Sequence, residues 1–204
     1  MGGFDWQRMV QEESSSAEAL SEWINLQNWP VSSIADVGAG PGHWAQAIAT
    51  GLNLSRGCVN GYDIASIDFA GFPIHRWDIT RLRIPPAWLV LCLEVFEHID
   101  EAHADQLADH LAAAVLVNGR LVFSAARPGQ GGIGHINCQR REYWAEKLEA
   151  RGLRLAIGES ASLINFVRSQ RSWIGWFPQN LMIFRQPGRI ADRARILDKI
   201  SAQS

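Results

Sequence analysis

A glycine-rich turn near the start of the chain carries the residues best suited to hold a ligand. Residues 36–42 read DVGAGPG, which overlaps the end of the apolar stretch 33–37 and precedes a stretch of helical spacing at 43–52. Glycines let a backbone turn sharply and approach a ligand closely, and the first N–H groups of a helix are free to bind it. A strand, a glycine turn and a helix in this order therefore predict a ligand-binding loop.

The spacing of the glycines indicates which ligand the loop holds. A dinucleotide-binding loop has the pattern G-x-G-x-x-G, and His43 takes the position of its third glycine here. This replacement argues against a nicotinamide-dependent oxidoreductase. The loop instead reads G-x-G-x-G, and Asp36 precedes it by two residues.

In this form the loop resembles the first motif of class I S-adenosylmethionine (SAM)-dependent methyltransferases. The resemblance extends over about residues 34–185 and implies that SAM is the cofactor. It further implies a loop that wraps the methionine end of SAM, with the leading acid orienting the loop and approaching the amino group. The loop residues assigned to cofactor binding are Asp36, Gly38, Ala39, Gly40 and Gly42. A glycine-rich turn without a cofactor is the alternative.

Two aspartates follow the next predicted strands. Asp63 ends the second strand, about as far beyond the loop as the ribose-binding acid of Rossmann-type folds, and Ile64 follows it. Asp78 ends the third strand and precedes Ile79, where the methyltransferase resemblance implies contact with adenine. We assign all four residues to the cofactor site. The alternative is that either aspartate serves only its turn.

The fourth predicted strand runs into the sequence LEVFEHI at 93–99. Similar E-x-x-E-H segments are common in methyltransferases that act on small molecules and quinone precursors. The resemblance implies that Glu94 faces the methionine part of SAM. We predict a catalytic role for Glu97, with the alternative that Glu97 and His98 cap the following helix.

A loop with four glycines follows the fifth predicted strand, over 127–137. Such a loop is poorly suited to regular structure but adaptable near a bound substrate. His135 is our second catalytic candidate, because a neutral imidazole takes a hydroxyl proton near pH 7. The alternative is that His135 only hydrogen-bonds the loop.

Glu94, Glu97, His98 and His135 together resemble the metal-binding set of small-RNA 3′-terminal 2′-O-methyltransferases. Mixed carboxylate and imidazole ligands suit a divalent ion. The loop around His135 does not match those enzymes closely, so we expect no metal ion, although the residues for one are present.

The elements around these residues alternate between strands and helices. Predicted strands lie at 33–37, 57–62, 73–77, 87–93, 120–125, 153–157 and 181–185. Predicted helices begin near Ser16 and occupy 43–52, 101–116 and 140–151. This rhythm predicts an α/β fold with a doubly wound, mostly parallel seven-stranded sheet and helices on both faces. The resemblance implies that the last two strands form an antiparallel hairpin at one edge.

We expect one domain over 1–204, with an N-terminal helical lid segment at 1–30 and a polar helical tail at 187–204. A net charge of −2 argues against a general polyanion binder, although six arginines and one lysine follow residue 160. Three dispersed cysteines and no signal-peptide pattern favour the cytoplasm. Trp173 and Trp176 leave core packing, a substrate pocket and a homodimer contact open.

These observations together predict a SAM-dependent methyltransferase whose acceptor is a hydroxyl of a small molecule or glycan. We expect neither a nucleic acid nor a membrane as partner. Two alternatives remain: a nucleic-acid ribose 2′-O-methyltransferase, metal-assisted or not, and a non-catalytic SAM-binding protein.

Overall fold

A computed structural model describes residues 6–65 and 71–188. The apolar runs of the sequence become a seven-stranded sheet. Its strands are β1 (Ile34–Val37), β2 (Val59–Asp63), β3 (Ile74–Arg76), β4 (Ala87–Leu93), β5 (Val115–Ser124), β6 (Arg154–Leu155) and β7 (Met182–Arg185). Its helices are α1 (Trp6–Leu26), α2 (His43–Gly51), α3 (Ala104–Ala114), α4 (Arg141–Glu149), α5 (Ile157–Ser169) and α6 (Phe177–Asn180).

The strands lie in the order β3-β2-β1-β4-β5-β7-β6. β1 pairs in parallel with β2 and β4, and β4 pairs in parallel with β5. β7 runs antiparallel to both of its neighbours, β5 and β6. The predicted mostly parallel sheet with an antiparallel C-terminal pair is therefore confirmed. The carboxyl ends of β1, β2 and β4 consequently meet at one edge, where open α/β sheets bind ligands.

Two apolar cores cover the two faces of the sheet. One face packs against α3 and α4 around Phe96, Phe123 and Trp144. The other packs against α1, α2 and α5 around Trp23 and Leu163. Because both faces are covered, β4 reads as a continuous apolar run rather than an alternating one.

Some boundaries differ from the sequence prediction. Ser16 does not cap a helix: it lies buried inside α1, where its Oγ accepts a hydrogen bond of 2.8 Å from the N–H of Ile174. β5 begins at Val115, and its pairing with β4 shifts where Asn118 has a φ of +63°. The turn at Asn118 therefore interrupts a strand and does not end a helix.

The helix α5 is absent from the sequence prediction, which placed a longer strand before it. Ser160, Leu163 and Val167 form its buried face at a spacing of three and four residues. Its Ser160 Oγ also accepts a hydrogen bond from Ile183 N–H, which joins α5 to β7. From residue 189 onward, the predicted tail lies outside the described residues. Every helix in the described ranges is too short or too polar to cross a bilayer.

Candidate active site

A cavity of about 550 Å³ lies at the carboxyl ends of β1, β2 and β4, and we call it the cofactor cavity. Its volume is in the range of small-molecule sites. Eight of the ten predicted cofactor residues line it: Gly38, Ala39, Gly40, Asp63, Ile64, Asp78, Ile79 and Glu94. The sheet topology thus gathers residues from four separate strand ends at one place.

The glycine loop needs glycine for its shape. Gly38, Gly40 and Gly42 have φ values of +69°, +51° and +77°. Gly38 also lies against Val95, so that a Cβ at this position would overlap the valine methyl groups. The Gly38 N–H donates to the Tyr62 carbonyl at 2.7 Å, which holds the loop against the end of β2. The loop is therefore a close-packed backbone cradle.

The Asp63 carboxylate links β2 to the glycine loop. Its Oδ2 accepts a hydrogen bond of 2.8 Å from Gly40 N–H, and its Oδ1 accepts one of 2.8 Å from Ala65 N–H. Each carboxylate oxygen has a further lone pair, and the side chain lines the cavity. Asp63 is therefore fixed in place with acceptor capacity for a pair of hydroxyl groups.

Two predicted cofactor residues, Asp36 and Gly42, lie outside the cavity lining. Gly42 is the N-cap of α2. Asp36 is buried, and its Oδ2 has no hydrogen-bond partner within residues 6–65 and 71–188. Burial raises the pKa of Asp36 to about 7, against the opposing effects of His43 and the Ala45 N–H. Asp36 thus interacts with the Ala45 N–H of α2 and does not line the cavity.

Asp78 lines the cavity beside an aromatic wall. Its Oδ1 accepts hydrogen bonds from Thr80 N–H at 3.0 Å and Thr80 Oγ1–H at 2.6 Å. The hydroxyl hydrogen bond lowers the pKa of Asp78. Trp77 packs edge-on against Tyr62, with ring centroids 5.3 Å apart. Asp78 therefore stabilises its own turn and also faces the cavity, so both sequence interpretations stay open.

Glu94 stands where β4 ends, in a left-handed backbone conformation with a φ of +52°. A non-glycine residue adopts this conformation at a cost, and such residues concentrate at functional sites. Gln130 Nε2–H donates to its Oε2 at 2.7 Å, and Asn180 Nδ2–H donates to its Oε1 at 3.0 Å. Glu94 thus ties the cavity wall to the glycine-rich loop and to α6.

Glu97 is fully buried and does not line the cavity. Its Oε1 accepts a hydrogen bond from Ala126 N–H, and its carbonyl accepts from Ile136 N–H at 2.8 Å. Burial, followed by the charge of Glu94, raises the pKa of Glu97 to about 8. The raised pKa favours the protonated carboxyl of Glu97 near neutral pH, and its backbone carbonyl holds the loop that carries His135.

His98 lines the cofactor cavity, as does His43, whereas His135 is not among the lining residues. The His98 Nδ1 lies 3.2 Å from the Gly134 carbonyl, which only accepts hydrogen bonds. The proton of a neutral His98 is therefore on Nδ1, and the lone pair of Nε2 is free. Burial and the neighbouring His135 lower the pKa of His98, which favours this neutral form.

The sequence predicts His135 as the base and gives His98 two alternative roles, in a helix cap and in a metal-binding set. The two rings pack edge-on with centroids 4.9 Å apart, and His135 Nδ1 is buried without a hydrogen-bond partner among the described residues. The signal for His98 was present in the E-x-x-E-H segment. A short 3₁₀ turn at Phe96–His98 turns Glu97 inward and His98 towards the cavity.

Donor atoms of Glu97, His98 and His135 lie within 4.8 Å of one another, close enough to surround a metal ion. This donor set suits a divalent ion chemically. Two features oppose it. The pKa of Glu97 is raised, so this carboxyl must lose its proton to bind a cation, and Glu94 is hydrogen-bonded to Gln130 and Asn180 instead. The four-residue metal set is not assembled among the described residues.

The tryptophans divide between core and cavity. Trp44, Trp88 and Trp144 are buried, and Trp44 also lines the cofactor cavity. Trp173 is 39% exposed, whereas Trp176 lines the cofactor cavity. Trp176 therefore lines a cavity and also packs against the apolar core, two of the three positions that the sequence left open, and the homodimer contact stays a prediction.

The chain matches known proteins in structure but not in sequence. No protein-family model and no curated protein matches the chain. The N-methyltransferase NodS of Bradyrhizobium japonicum WM9, crystallised with S-adenosyl-L-homocysteine (SAH), aligns over 88% of this chain and 91% of its own at 15% identity and a TM-score of 0.60.

Two further structures agree. The sugar N-methyltransferase KedS8 of Streptoalloteichus sp ATCC 53650 covers 92% of this chain and 95% of its own at 12% identity, with a TM-score of 0.63. The chain has the class I methyltransferase fold. Magnesium protoporphyrin IX methyltransferase of Synechocystis PCC 6803, with bound SAM, shares this fold at 18% identity and a TM-score of 0.56, covering 91% and 85% of the two chains.

Proposed function

We propose that this chain is a SAM-dependent methyltransferase that methylates a hydroxyl group of a small molecule or glycan. One observation carries the proposal. The Asp63 carboxylate is fixed by the glycine loop at 2.8 Å and faces a cavity of about 550 Å³ at the strand ends of a class I methyltransferase fold. A dihydroxy ligand such as ribose matches the acceptor atoms that Asp63 presents.

The residues around Asp63 fit SAM. Gly38 and Gly40 bring backbone without a Cβ to the cavity, and a Cβ at Gly38 would meet Val95. Glu94 offers a carboxylate for the methionine amino group, and Ile79 offers an apolar surface for the adenine. When bound, SAM supplies an electrophilic methyl group. NodS and the Synechocystis enzyme, crystallised with SAH and SAM, are similar in fold.

We propose His98 as the base, because it lines the cavity and its Nε2 has no hydrogen-bond partner among the described residues. His43 also lines the cavity, but its Nε2 lies 2.9 Å from the Glu13 carboxylate. Nε2 takes the hydroxyl proton as the acceptor oxygen gains the methyl group, while Nδ1–H stays on the Gly134 carbonyl. Most of the rate comes from alignment of the acceptor, and the base adds a smaller factor. His135 and Glu97 then position His98 and its loop.

The helix α1 is the proposed lid. Met9 and Glu13 line the cofactor cavity from α1. The Glu13 Oε2 lies 2.9 Å from His43 Nε2 and accepts a hydrogen bond of 2.7 Å from Trp44 Nε1–H. This polar contact fastens α1 to the start of α2, directly beside the glycine loop.

Titration calorimetry with SAH tests the cofactor assignment. We expect one SAH to bind each chain and NAD not to bind. Asp63→Asn should weaken SAH binding at least about tenfold, because an amide replaces one of the two acceptor oxygens. Asp109→Asn is the matched control, since Asp109 lies on α3 with its side chain 58% exposed. Equal affinities of wild type and Asp63→Asn, or tight NAD binding, would refute the assignment.

An amine acceptor is the second candidate, since NodS and KedS8 are N-methyltransferases. Carbon-13-methyl SAM with a low-molecular-weight metabolite fraction separates the two, because O-methyl and N-methyl carbons have different NMR shifts. We expect an O-methyl product, and His98→Gln should lower its rate about 100-fold while SAH affinity stays unchanged. An N-methyl product would replace our acceptor with the second candidate.

A further inference from the structure

A second cavity of about 840 Å³ lies beside the cofactor cavity, and we call it the arginine cavity. Its lining includes Arg127, Gln130, Arg140, Arg141, Glu142 and Trp176. Three arginines face one glutamate, so the lining carries a net positive charge. The residues come from three separate segments: the loop after β5, the start of α4 and the segment before α6.

Arg127 and Arg141 have no carboxylate partner in the part of the chain that the structure describes. An Nη atom of Arg127 donates to the neutral Gln179 side chain at 2.7 Å, and one of Arg141 donates to the Leu181 carbonyl at 2.8 Å. The Nε of each guanidinium is buried without a hydrogen-bond partner among the described residues. Buried polar groups are nearly always paired, so two unpaired donors on side chains that line one cavity indicate a missing partner.

The two charges also oppose each other. Burial lowers the pKa of Arg141, the charge of Glu142 raises it, and the charge of Arg127 lowers it further. In addition, the nine-residue helix α4 begins at Arg141, and its N-cap Arg140 makes no side-chain capping hydrogen bond. The first N–H groups of α4 and its positive dipole end therefore lie at the same cavity. An anion would relieve the repulsion and satisfy both kinds of donor.

The arginine cavity adjoins the cofactor cavity. Trp176 lines both of them. Gln130, which lines the arginine cavity, donates to Glu94 of the cofactor cavity, and Asn180 donates to both Glu94 and Gln130. The two cavities are therefore adjacent, with Trp176 and this hydrogen-bonded group between them.

We propose that the arginine cavity binds an anionic group of the methyl acceptor, a carboxylate or a phosphate, and so selects acidic acceptors. That the anion belongs to the methyl acceptor rests on the proposed function, whereas the anion site itself does not. Arg127 and Arg141 hold the anion, and the N-terminus of α4 completes the site. The group that receives the methyl lies beyond Trp176, in the cofactor cavity.

NMR of the arginine Nε–H groups tests the anion site directly, without turnover. Inorganic phosphate and acetate are titrated separately at constant ionic strength set by sodium chloride. We expect the Arg127 and Arg141 signals to shift with a saturable dependence on at least one anion. The Arg154 signal is the internal control, because Arg154 is an exposed residue of β6. Saturation by phosphate but not acetate would assign a phosphate, and the reverse would assign a carboxylate.

The variant Arg127→Gln/Arg141→Gln should weaken the preferred anion at least about tenfold, and Arg154→Gln should leave it unchanged. SAH calorimetry on the same samples separates the two proposals. Normal SAH binding with linear, non-saturating arginine shifts would overturn the anion site and leave the proposed function intact. Saturable anion binding without SAH binding would support the anion site and overturn the proposed function. A double variant with unchanged anion affinity would also overturn the site.

Discussion

The cofactor cavity and the arginine cavity share a wall but are built in different ways. The first collects strand ends and one continuous glycine loop, and its fixed carboxylate, Asp63, is hydrogen-bonded to that loop. The second collects three loop and helix segments, and its charged groups, Arg127 and Arg141, have unpaired donors. The cofactor cavity is therefore preorganised for one ligand, whereas the two arginines of the arginine cavity lack a charged partner among the described residues.

The difference extends to electrostatics. Burial raises the pKa of Asp36 to about 7 and that of Glu97 to about 8, and neither acid lines the cofactor cavity. The acids that do line it are Asp63, Asp78 and Glu94, and the hydroxyl of Thr80 lowers the pKa of Asp78. Around the arginine cavity, guanidinium groups stay charged even when partly buried. A SAM-sized ligand and an anionic group therefore meet complementary surroundings on the two sides of Trp176.

The largest expected effect concerns the glycine loop. Gly38→Ala should weaken SAH binding at least about 100-fold, because alanine is strained at a φ of +69° and its Cβ meets Val95. Calorimetry measures the loss. Gly57→Ala is the control, because a Cβ at Gly57 meets no atom within 4 Å. If Gly38→Ala binds SAH normally, the cradle is not the cofactor loop. Phosphate binding in the arginine cavity should survive the change.

The second prediction concerns Glu97 and pH. Between its ordinary pKa of 4.5 and the folded value of about 8, the unfolded chain loses the Glu97 proton while the folded chain keeps it. The raised pKa of Glu97 therefore makes the free energy of unfolding fall as pH rises, by up to about 1.4 kcal/mol per pH unit. Glu97→Gln should remove this contribution.

Urea unfolding between pH 5 and 8 provides the measurement. The stability of Glu97→Gln relative to wild type should rise steadily with pH across this interval. The exposed Glu146 gives the matched control, and Glu146→Gln should run parallel to wild type. A Glu97→Gln curve that also runs parallel to wild type would show that Glu97 is ionised in the folded chain.

A smaller effect is expected from the loop that carries His135. A Cβ at Gly132 would meet the His135 ring, while a Cβ at Gly131 meets no atom within 4 Å. Gly132→Ala should therefore displace the His98–His135 pair and lower kcat about tenfold, whereas Gly131→Ala should leave kcat unchanged. SAH affinity should stay constant in both. Equal kcat values for the two variants would remove the histidine pair from the mechanism.

The smallest effect is expected at the shared wall. Trp176→Phe keeps an aromatic ring but shortens it, so SAH and phosphate affinities should each fall about threefold. Trp173→Phe is the control, because Trp173 lines neither cavity. A loss confined to one ligand would show that Trp176 belongs to one cavity only.

The two cavities also differ in how far the sequence predicts them. The strand, glycine turn and helix at 34–51 form a continuous signal, and the acids at successive strand ends follow from the topology. Eight of the ten residues predicted for cofactor binding accordingly line one cavity. Their contact with SAM stays a prediction.

The positions of the other functional residues depend on contacts between distant parts of the chain, which the sequence does not reveal. A three-residue 3₁₀ turn decides whether Glu97 or His98 faces the cavity. A turn this short has no repeating sequence pattern from which its side-chain directions can be predicted. The arginine cavity joins residues almost 50 positions apart, from Arg127 to Trp176, and its segments carry no common motif. The helix α5 has a detectable signal in Leu163 and Val167, which are buried and four residues apart. The sequence prediction assigned no helix between the strands at 153–157 and 181–185.

A paired titration tests the central claim, a SAM site and a separate anion site in one fold, most directly. SAH and inorganic phosphate are each titrated calorimetrically into Asp63→Asn and into Arg127→Gln/Arg141→Gln. We expect Asp63→Asn to lose SAH affinity and keep phosphate affinity. We expect the arginine variant to keep SAH affinity and lose phosphate affinity. A wild type that binds no SAH, or either variant losing both ligands while remaining folded, would contradict the claim.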